Sequence, residues 1–279
     1  MADAEAPGEP PEDAGSESWR SRSPVDDADW AAYLAEFHRR RPGAVEAVLS
    51  DAVAGSMTPY DWLARAIAPT ARTVLDLACG SGPMSRQLMA EGRTVIGIDN
   101  SAAEIALAAE RGPGPWIRGD IHRLPIADDA VDAITSSLGL VVVSQVEEVL
   151  AEAARVLKPG GVLAAIAPGI RGLAPRDVRV LSRVTARLRA KPKFPGAVEL
   201  AGFKRLLTGA GLRLVEDAHE RYGFWVTSRA DAERVMSALY LPGTRWSRVE
   251  AAIEHLEDRV RTRGPFELAI PMRRVVAIK

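Results

Sequence analysis

The hydrophobic period of this chain changes along its length. In "ADWAAYLAEFHRR" the apolar residues Trp30, Tyr33, Leu34 and Phe37 recur at helical spacing. "PGAVEAVLSDAV" and "TPYDWLARAIA" continue that pattern, the second with Thr58 as N-cap and Pro59 in the first turn. From Arg72 short apolar runs alternate with amphipathic stretches. The runs "RTVLDLA", "TVIGID", "WIRGD", "VDAITSSLGL" and "GVLAAIAP" read as strands. Between them "PMSRQLMAEG", "SAAEIALAAERG" (Ser101 as cap) and "QVEEVLAEAARVLKPGG" read as helices, the last stopped by Pro-Gly-Gly. Strands that are short, largely apolar and separated by amphipathic helices predict a mostly parallel sheet covered on both faces. Beyond Pro168, "DVRVLSRVTARLRA" and "AVELAGFKRLLTGAG" read as helices and "LRLVEDAHERYGFWVTS" as one long strand. "DAERVMSALY" and "RWSRVEAAIEHLEDRVRT" are again helical, and "FELAIPMRRVVAIK" closes as a strand. Late strands with helical insertions suggest an antiparallel edge.

Composition adds boundaries. Residues 1–26 are acidic and rich in Pro, Gly, Ser and Ala, and are expected to form a disordered tail. The expected organisation is that tail, lid helices over 27–70, and one α/β domain over 71–279 with helical insertions near 171–195 and 228–263. The net charge of -1 over 279 residues gives no global argument for a nucleic-acid or anionic-membrane partner. No membrane span and no secretory signal are visible, and the single cysteine permits no internal disulfide. A cytoplasmic protein is expected.

The stretch "VLDLACGSGPMS" places an acid, Asp76, in the middle of a buried strand, four residues before Gly80. A buried carboxylate is costly unless something pairs with it. Gly80 and Gly82 let a ligand approach the backbone at the carboxyl edge of the sheet. The sixth position of a dinucleotide-binding G-x-G-x-x-G is Ser85, and no Gly-Lys-Ser/Thr is present, so phosphate recognition is disfavoured. Asp76 would repel a pyrophosphate and stabilise a cation. Asp99, nineteen residues after Gly80, can accept from both hydroxyls of a ribose. After the third strand, the Asp120 carboxylate or the Ile121 backbone can meet an adenine amino group. An amino-acid end, a ribose and an adenine, with no phosphate, is the inventory of S-adenosylmethionine. Plainer readings stand beside these: a satisfied structural acid for Asp76, a cap for Asp99, an Asx-turn acid for Asp120, packing for Cys79.

"VLDLACGSG", "VIGIDNS", "GDIHRLPIADDAVDAITSSLGL" and "VEEVLAEAARVLKPGG" resemble, in order and spacing, the motifs of the class I S-adenosylmethionine-dependent methyltransferases. They resemble in particular the small-molecule branch (methyltransferase type 11) that includes the ubiquinone and menaquinone C-methyltransferases. The resemblance covers about Thr73 to Pro168. It implies a Rossmann-like seven-stranded sheet with helices on both faces and the last strand antiparallel. It implies that Asp76, Gly80, Ser81 and Gly82 surround the methionine part. Asp99 would serve the ribose, Asp120 and Ile121 the adenine, and Ser137 the methionine end, with Asn100 also among the cofactor-binding residues. The reaction expected is in-line methyl transfer to a small-molecule acceptor. The alternatives are an RNA or protein methyltransferase and a non-catalytic binding protein.

Relatives often carry a His or Asn shortly after the fourth strand, where this chain has Val141 to Val143. That favours an apolar pocket, an acceptor needing no strong base, or a base from elsewhere, and no catalytic residue is assigned. Of four histidines, His38 precedes three arginines and reads as part of a solvated face; His122 lies beside the adenine position. No zinc spacing is present and no metal is expected. Tyr60, Trp62 and Tyr222 are candidate substrate-pocket residues, with core anchoring as the alternative; Trp225 is read in the same way. Arg176, Arg179, Arg183 and Arg187 recur on one helix face, read as solvated.

Overall fold

A computed structural model describes residues 27–195 and 203–279, with side chains from Asp29. The expected tail over 1–26 and the start of the helix after Gly196 lie outside the described residues. Seven strands form one sheet in the order β3-β2-β1-β4-β5-β7-β6. They are β1 (Thr73–Leu77), β2 (Thr94–Asp99), β3 (Trp116–Arg118), β4 (Val131–Ser137), β5 (Leu157–Pro168), β6 (Arg213–Val226) and β7 (Phe266–Ile278). The pairs from β3 through β5 are parallel, and β7 runs antiparallel to both β5 and β6. The fold is the Rossmann-like seven-stranded arrangement expected from the sequence.

The helices divide between the two faces. On one lie α2 (Ala44–Leu49), α3 (Pro59–Ala64), α4 (Pro83–Leu88), α8 (Pro175–Leu188), α10 (Arg229–Ser237) and α11 (Trp246–Arg263). On the other lie α1 (Asp27–Arg40), α6 (Gly139–Val142), α7 (Val146–Val156) and α9 (Phe203–Gly209). α5 (Ala102–Arg111) packs on β2, β3 and α1. Strand alternation sorts the core: Val74 joins the first cluster, Leu75 and Leu77 the second. α3 starts as expected. The Thr58 hydroxyl accepts from Asp61 N at 3.1 Å, and Asp61 accepts from Thr58 N at 2.9 Å.

Two boundaries differ from expectation. β4 ends at Ser137, because Leu138 turns into the left-handed region (φ 65°) and the next four residues make one helical turn. α7 ends at Val156 rather than at Pro-Gly-Gly. Leu157 already pairs with Val131, so "LKPGG" is extended chain leading into β5.

β1 and β4 are neighbours, but the chain leaves β1 toward β2 and β4 toward β5. This is the topological switch at which open α/β sheets bind ligands. Two non-glycine residues with positive φ flank it, Ala78 (52°) and Leu138 (65°). Gly139 accommodates the first: a Cβ there would lie 2.6 Å from the Ala78 methyl and 2.6 Å from Ser136 Oγ.

Candidate functional site

A cleft opens over the carboxyl ends of β1, β2 and β4. Its floor is Ala78 to Ser81, Asp99 with Asn100, and Ser137 to Gly139. Gly80 sits at φ 54° beside the cleft. Gly82 is N-cap of α4 at φ 79°; a Cβ there would lie 2.5 Å from the Trp116 ring. Gly82 therefore serves the turn and its packing, and it does not line the cleft.

Asp76 finds its partners on the first helix face. Parity points it toward α4, where Ser85 donates to Oδ2 at 2.7 Å. Thr135, its register partner on β4, donates to Oδ1 at 3.0 Å. Both donors are neutral and the residue is wholly buried. Burial therefore wins, lifting the carboxyl to about 6 against the hydrogen bonds that lower it. Asp99 accepts from Gly80 N at 2.9 Å and Ser101 N at 2.8 Å, fixing the glycine loop to the tip of β2. Burial raises this carboxyl too, partly offset by those N–H groups. Neither Asp76 nor Asp99 has an ion-pair partner among the described residues. Carboxylates of Glu46, Asp76, Asp99, Glu104 and Asp120 all line the cleft.

At the β3 end Asp120 accepts from His122 N at 2.9 Å and lies 2.7 Å from its Nδ1. Burial works to raise Asp120, but His122 holds it below its usual range. His122 Nε2 is 2.8 Å from Ser144 O, so both ring nitrogens are engaged. At the β4 end the Ser137 hydroxyl is buried in the cleft wall with no hydrogen-bond partner. Cys79 is buried, and that burial pushes its thiol up, with Asp76 and Asp99 adding to the effect. It is a protonated packing residue, not a nucleophile.

The helices before β1 roof the cleft, and here the sequence reading missed residues. Glu46 of α2 accepts from Ser81 Oγ, from Arg86 at 2.6 Å and from Arg111. Ser81 thus commits its hydroxyl to α2. Glu104 on α5, spaced like the acid of a Ser-x-x-Glu capping box with Ser101, reaches elsewhere. It accepts from Gly43 N at 3.0 Å and lies 2.7 Å from His38 Nδ1. His38 Nε2 in turn lies 3.2 Å from the Tyr240 hydroxyl. His38 is therefore part of the cleft wall, not a solvated face, because Glu104 draws its ring inward. Motif spacing could have flagged Glu104 only as a cap, and nothing local in the sequence joins it to a helix 66 residues earlier.

Of the candidate residues, Asp76, Gly80, Ser81, Asp99, Asn100, Asp120, Ile121, Ser137 and Tyr60 line one cleft. Trp62 and Tyr222 do not. They pack together 6.1 Å apart in the first core cluster, and the buried Tyr222 hydroxyl has no partner. Trp225 is 52% exposed on the outer face of edge strand β6, neither pocket nor core. Arg176, Arg179, Arg183 and Arg187 lie exposed along α8. No group of metal-binding side chains occurs among the described residues, and no helix of theirs is long and apolar enough to cross a membrane.

Residues 75–165 match the profile of a family described as "Methyltransferase domain". A malonyl-[acyl-carrier protein] O-methyltransferase from Pectobacterium atrosepticum is 39% identical over 92 residues, 33% of this chain and 36% of that protein. A demethylmenaquinone methyltransferase from Renibacterium salmoninarum is 41% identical over 91 residues, covering 32% and 38%. These matches span under two-fifths of the relatives' length. The YcgJ protein of Bacillus subtilis shares the fold, with a TM-score of 0.54 at 18% identity over 78% of this chain and 96% of that one.

Proposed function

We propose that this chain, whose residues 75–165 carry a methyltransferase domain, is an S-adenosylmethionine-dependent methyltransferase acting on a small apolar acceptor. The observation that carries the reading is the charge of the cleft. Five carboxylates converge on it, and two buried ones, Asp76 and Asp99, form no ion pair among the described residues. Such a site repels a pyrophosphate and is relieved by a sulfonium and an ammonium. The orphaned Ser137 hydroxyl marks a second unfilled polar position in the same wall.

The residues fit the group in the order the strands supply them. Asp76 and the backbone around Gly80 would hold the amino-acid end. Asp99, already oriented by two backbone N–H groups, keeps lone pairs for the ribose hydroxyls, with Asn100 beside it. Asp120 and the Ile121 backbone stand where the adenine would lie, and Ser137 at the end near the sulfur. Ser81 would contribute through its backbone, since its hydroxyl is bonded to Glu46. Bound S-adenosylmethionine supplies an electrophilic methyl on an excellent leaving group. What remains for the protein is alignment, worth up to about 7–11 kcal/mol when both reactants are held near attack distance.

The acceptor side is apolar: Leu34, Val45, Leu138, Val142 and Val143 line it. With relatives named for menaquinone methylation, this supports a quinol- or phenol-like acceptor. α1 and α2 act as the lid, pinned by Glu46 and Glu104. The site is proposed to work in the cytoplasm. The test is release of S-adenosylhomocysteine with short-chain naphthoquinols and simple phenols. Tight cofactor binding without product across such acceptors would leave a binding protein rather than an enzyme.

A further inference from the structure

We propose that Tyr240, His38 and Glu104 form the proton relay of the methyl transfer, and that the acceptor therefore presents a hydroxyl. The proposal rests on the methyltransferase reading above. It starts from an elimination. Among the titratable side chains described in the cleft, nearly every one is already bonded or protonated. Asp76 is held by two hydroxyls and Asp99 by two backbone N–H groups. Glu46 is held by Ser81 and two arginines, and His122 is bonded at both ring nitrogens. The thiol of Cys79 and the phenol of Tyr60 are driven further toward their protonated forms by burial.

His38 is also bonded at both ring nitrogens, but where His122 faces an acceptor on each side, one neighbour of His38 is a hydroxyl that can donate. Glu104 faces its Nδ1 at 2.7 Å and also accepts from Gly43 N, and its side chain is only 4% exposed. A carboxylate can only accept, so Nδ1 carries the proton. In the tautomer this fixes, the lone pair is on Nε2, and the group in front of it is the Tyr240 hydroxyl at 3.2 Å. Tyr240 lines the cleft and is locked between aromatic rings, 4.6 Å from Phe37 and 6.1 Å from Trp30. Trp30 donates to Val142 O at 2.6 Å, which places this cluster over the turn that follows β4. Around the relay stand Asp99 and Tyr33, and Arg41 lies 4.4 Å over the Phe37 ring that packs against both His38 and Tyr240. Burial, with Glu104 and Asp99 adding to it, keeps the Tyr240 phenol protonated. Tyr240 thus passes a proton on without remaining ionised.

The acceptor hydroxyl gives its proton to the Tyr240 oxygen as the Tyr240 proton moves to His38 Nε2, leaving an imidazolium beside the Glu104 carboxylate. The acceptor oxygen forms a bond to the methyl carbon. The carbon–sulfur bond breaks with its electron pair going to sulfur. The imidazolium returns its proton to solvent after product leaves. Tyr240 is the residue that touches the acceptor, His38 the base, and Glu104 a positioning residue.

The test uses the full chain with ¹⁵N-labelled histidine, saturated with S-adenosylhomocysteine, and 1-naphthol as the hydroxyl-bearing probe. His38→Gln assigns the resonance. The expected result is a neutral ring protonated at Nδ1, with Nε2 in the unprotonated range. 1-Naphthol shifts Nε2, naphthalene does not, and Tyr240→Phe abolishes the shift while S-adenosylhomocysteine affinity stays within about threefold of wild type. A ring protonated at Nε2, no response to 1-naphthol, or the same response in Tyr240→Phe would each overturn the relay. Failure of the wild-type protein to bind S-adenosylhomocysteine at all would instead sink the methyltransferase reading. Calorimetry on the same samples separates the two.

Discussion

Asp76 makes the account quantitative. In the free protein its carboxyl titrates at about 6 rather than 3.8. Holding it ionised at neutral pH costs about 3 kcal/mol, two pH units at roughly 1.4 kcal/mol each. Because the folded value is raised, its contribution to stability is fully present below pH ~4 and is lost as pH rises through about 6. A cationic ligand reverses this by binding the carboxylate form. If S-adenosylmethionine binds only that form, its dissociation constant scales with one plus the ratio of protonated to ionised Asp76. The factor is about 11 at pH 5 and about 1.1 at pH 7, hence a tenfold loss of affinity on acidification. The ligand's own amino group, titrating near ~7.7–8.0, stays protonated across this window. Calorimetry at half-unit steps measures the slope, and Asp76→Asn isolates it from the titration of Asp99 and the histidines. The variant should bind S-adenosylmethionine more weakly than wild type at pH 7 and lose this tenfold component. Its ligand-free fold should be at least as stable as wild type at pH 7. Equal pH slopes in wild type and Asp76→Asn would refute the reasoning.

Asp99→Ala removes the ribose acceptor and releases the Gly80 and Ser101 N–H groups, so measurable S-adenosylmethionine binding should be lost; retained affinity in calorimetry would exclude the ribose role. Gly139→Ala forces a methyl to 2.6 Å from the Ala78 methyl and should cost about 1–3 kcal/mol in urea unfolding. Thr58→Ala deletes the α3 cap and should cost about 1 kcal/mol by the same measurement, with S-adenosylmethionine affinity unchanged.

The strands, most helices and the floor of the cleft were legible because each depends on local chemistry. Period and glycine placement fix where β1 ends, and parity alone turns Asp76 toward α4. One of the two partners of Asp76 was not legible, since Thr135 arrives through strand register across 59 residues. The roof was illegible for the same reason. Glu104 is spelled as a cap and becomes an anchor for His38 only once α1 folds back over α5. Trp62 and Tyr222 read as pocket aromatics because aromatic character does not reveal which face of an element meets solvent. Both turned out to fill the core.

The claim beneath all of this is that a phosphate-free cationic nucleoside lies across the ends of β1, β2 and β4. A crystal structure of the full chain grown with S-adenosylmethionine tests it most directly. The expected result is ribose hydroxyls on Asp99, the amino-acid end beside Asp76 and Gly80, and the sulfonium methyl facing Ser137 and the valine-lined turn. A nucleoside bound elsewhere, or a dinucleotide preferred in this cleft, would contradict it.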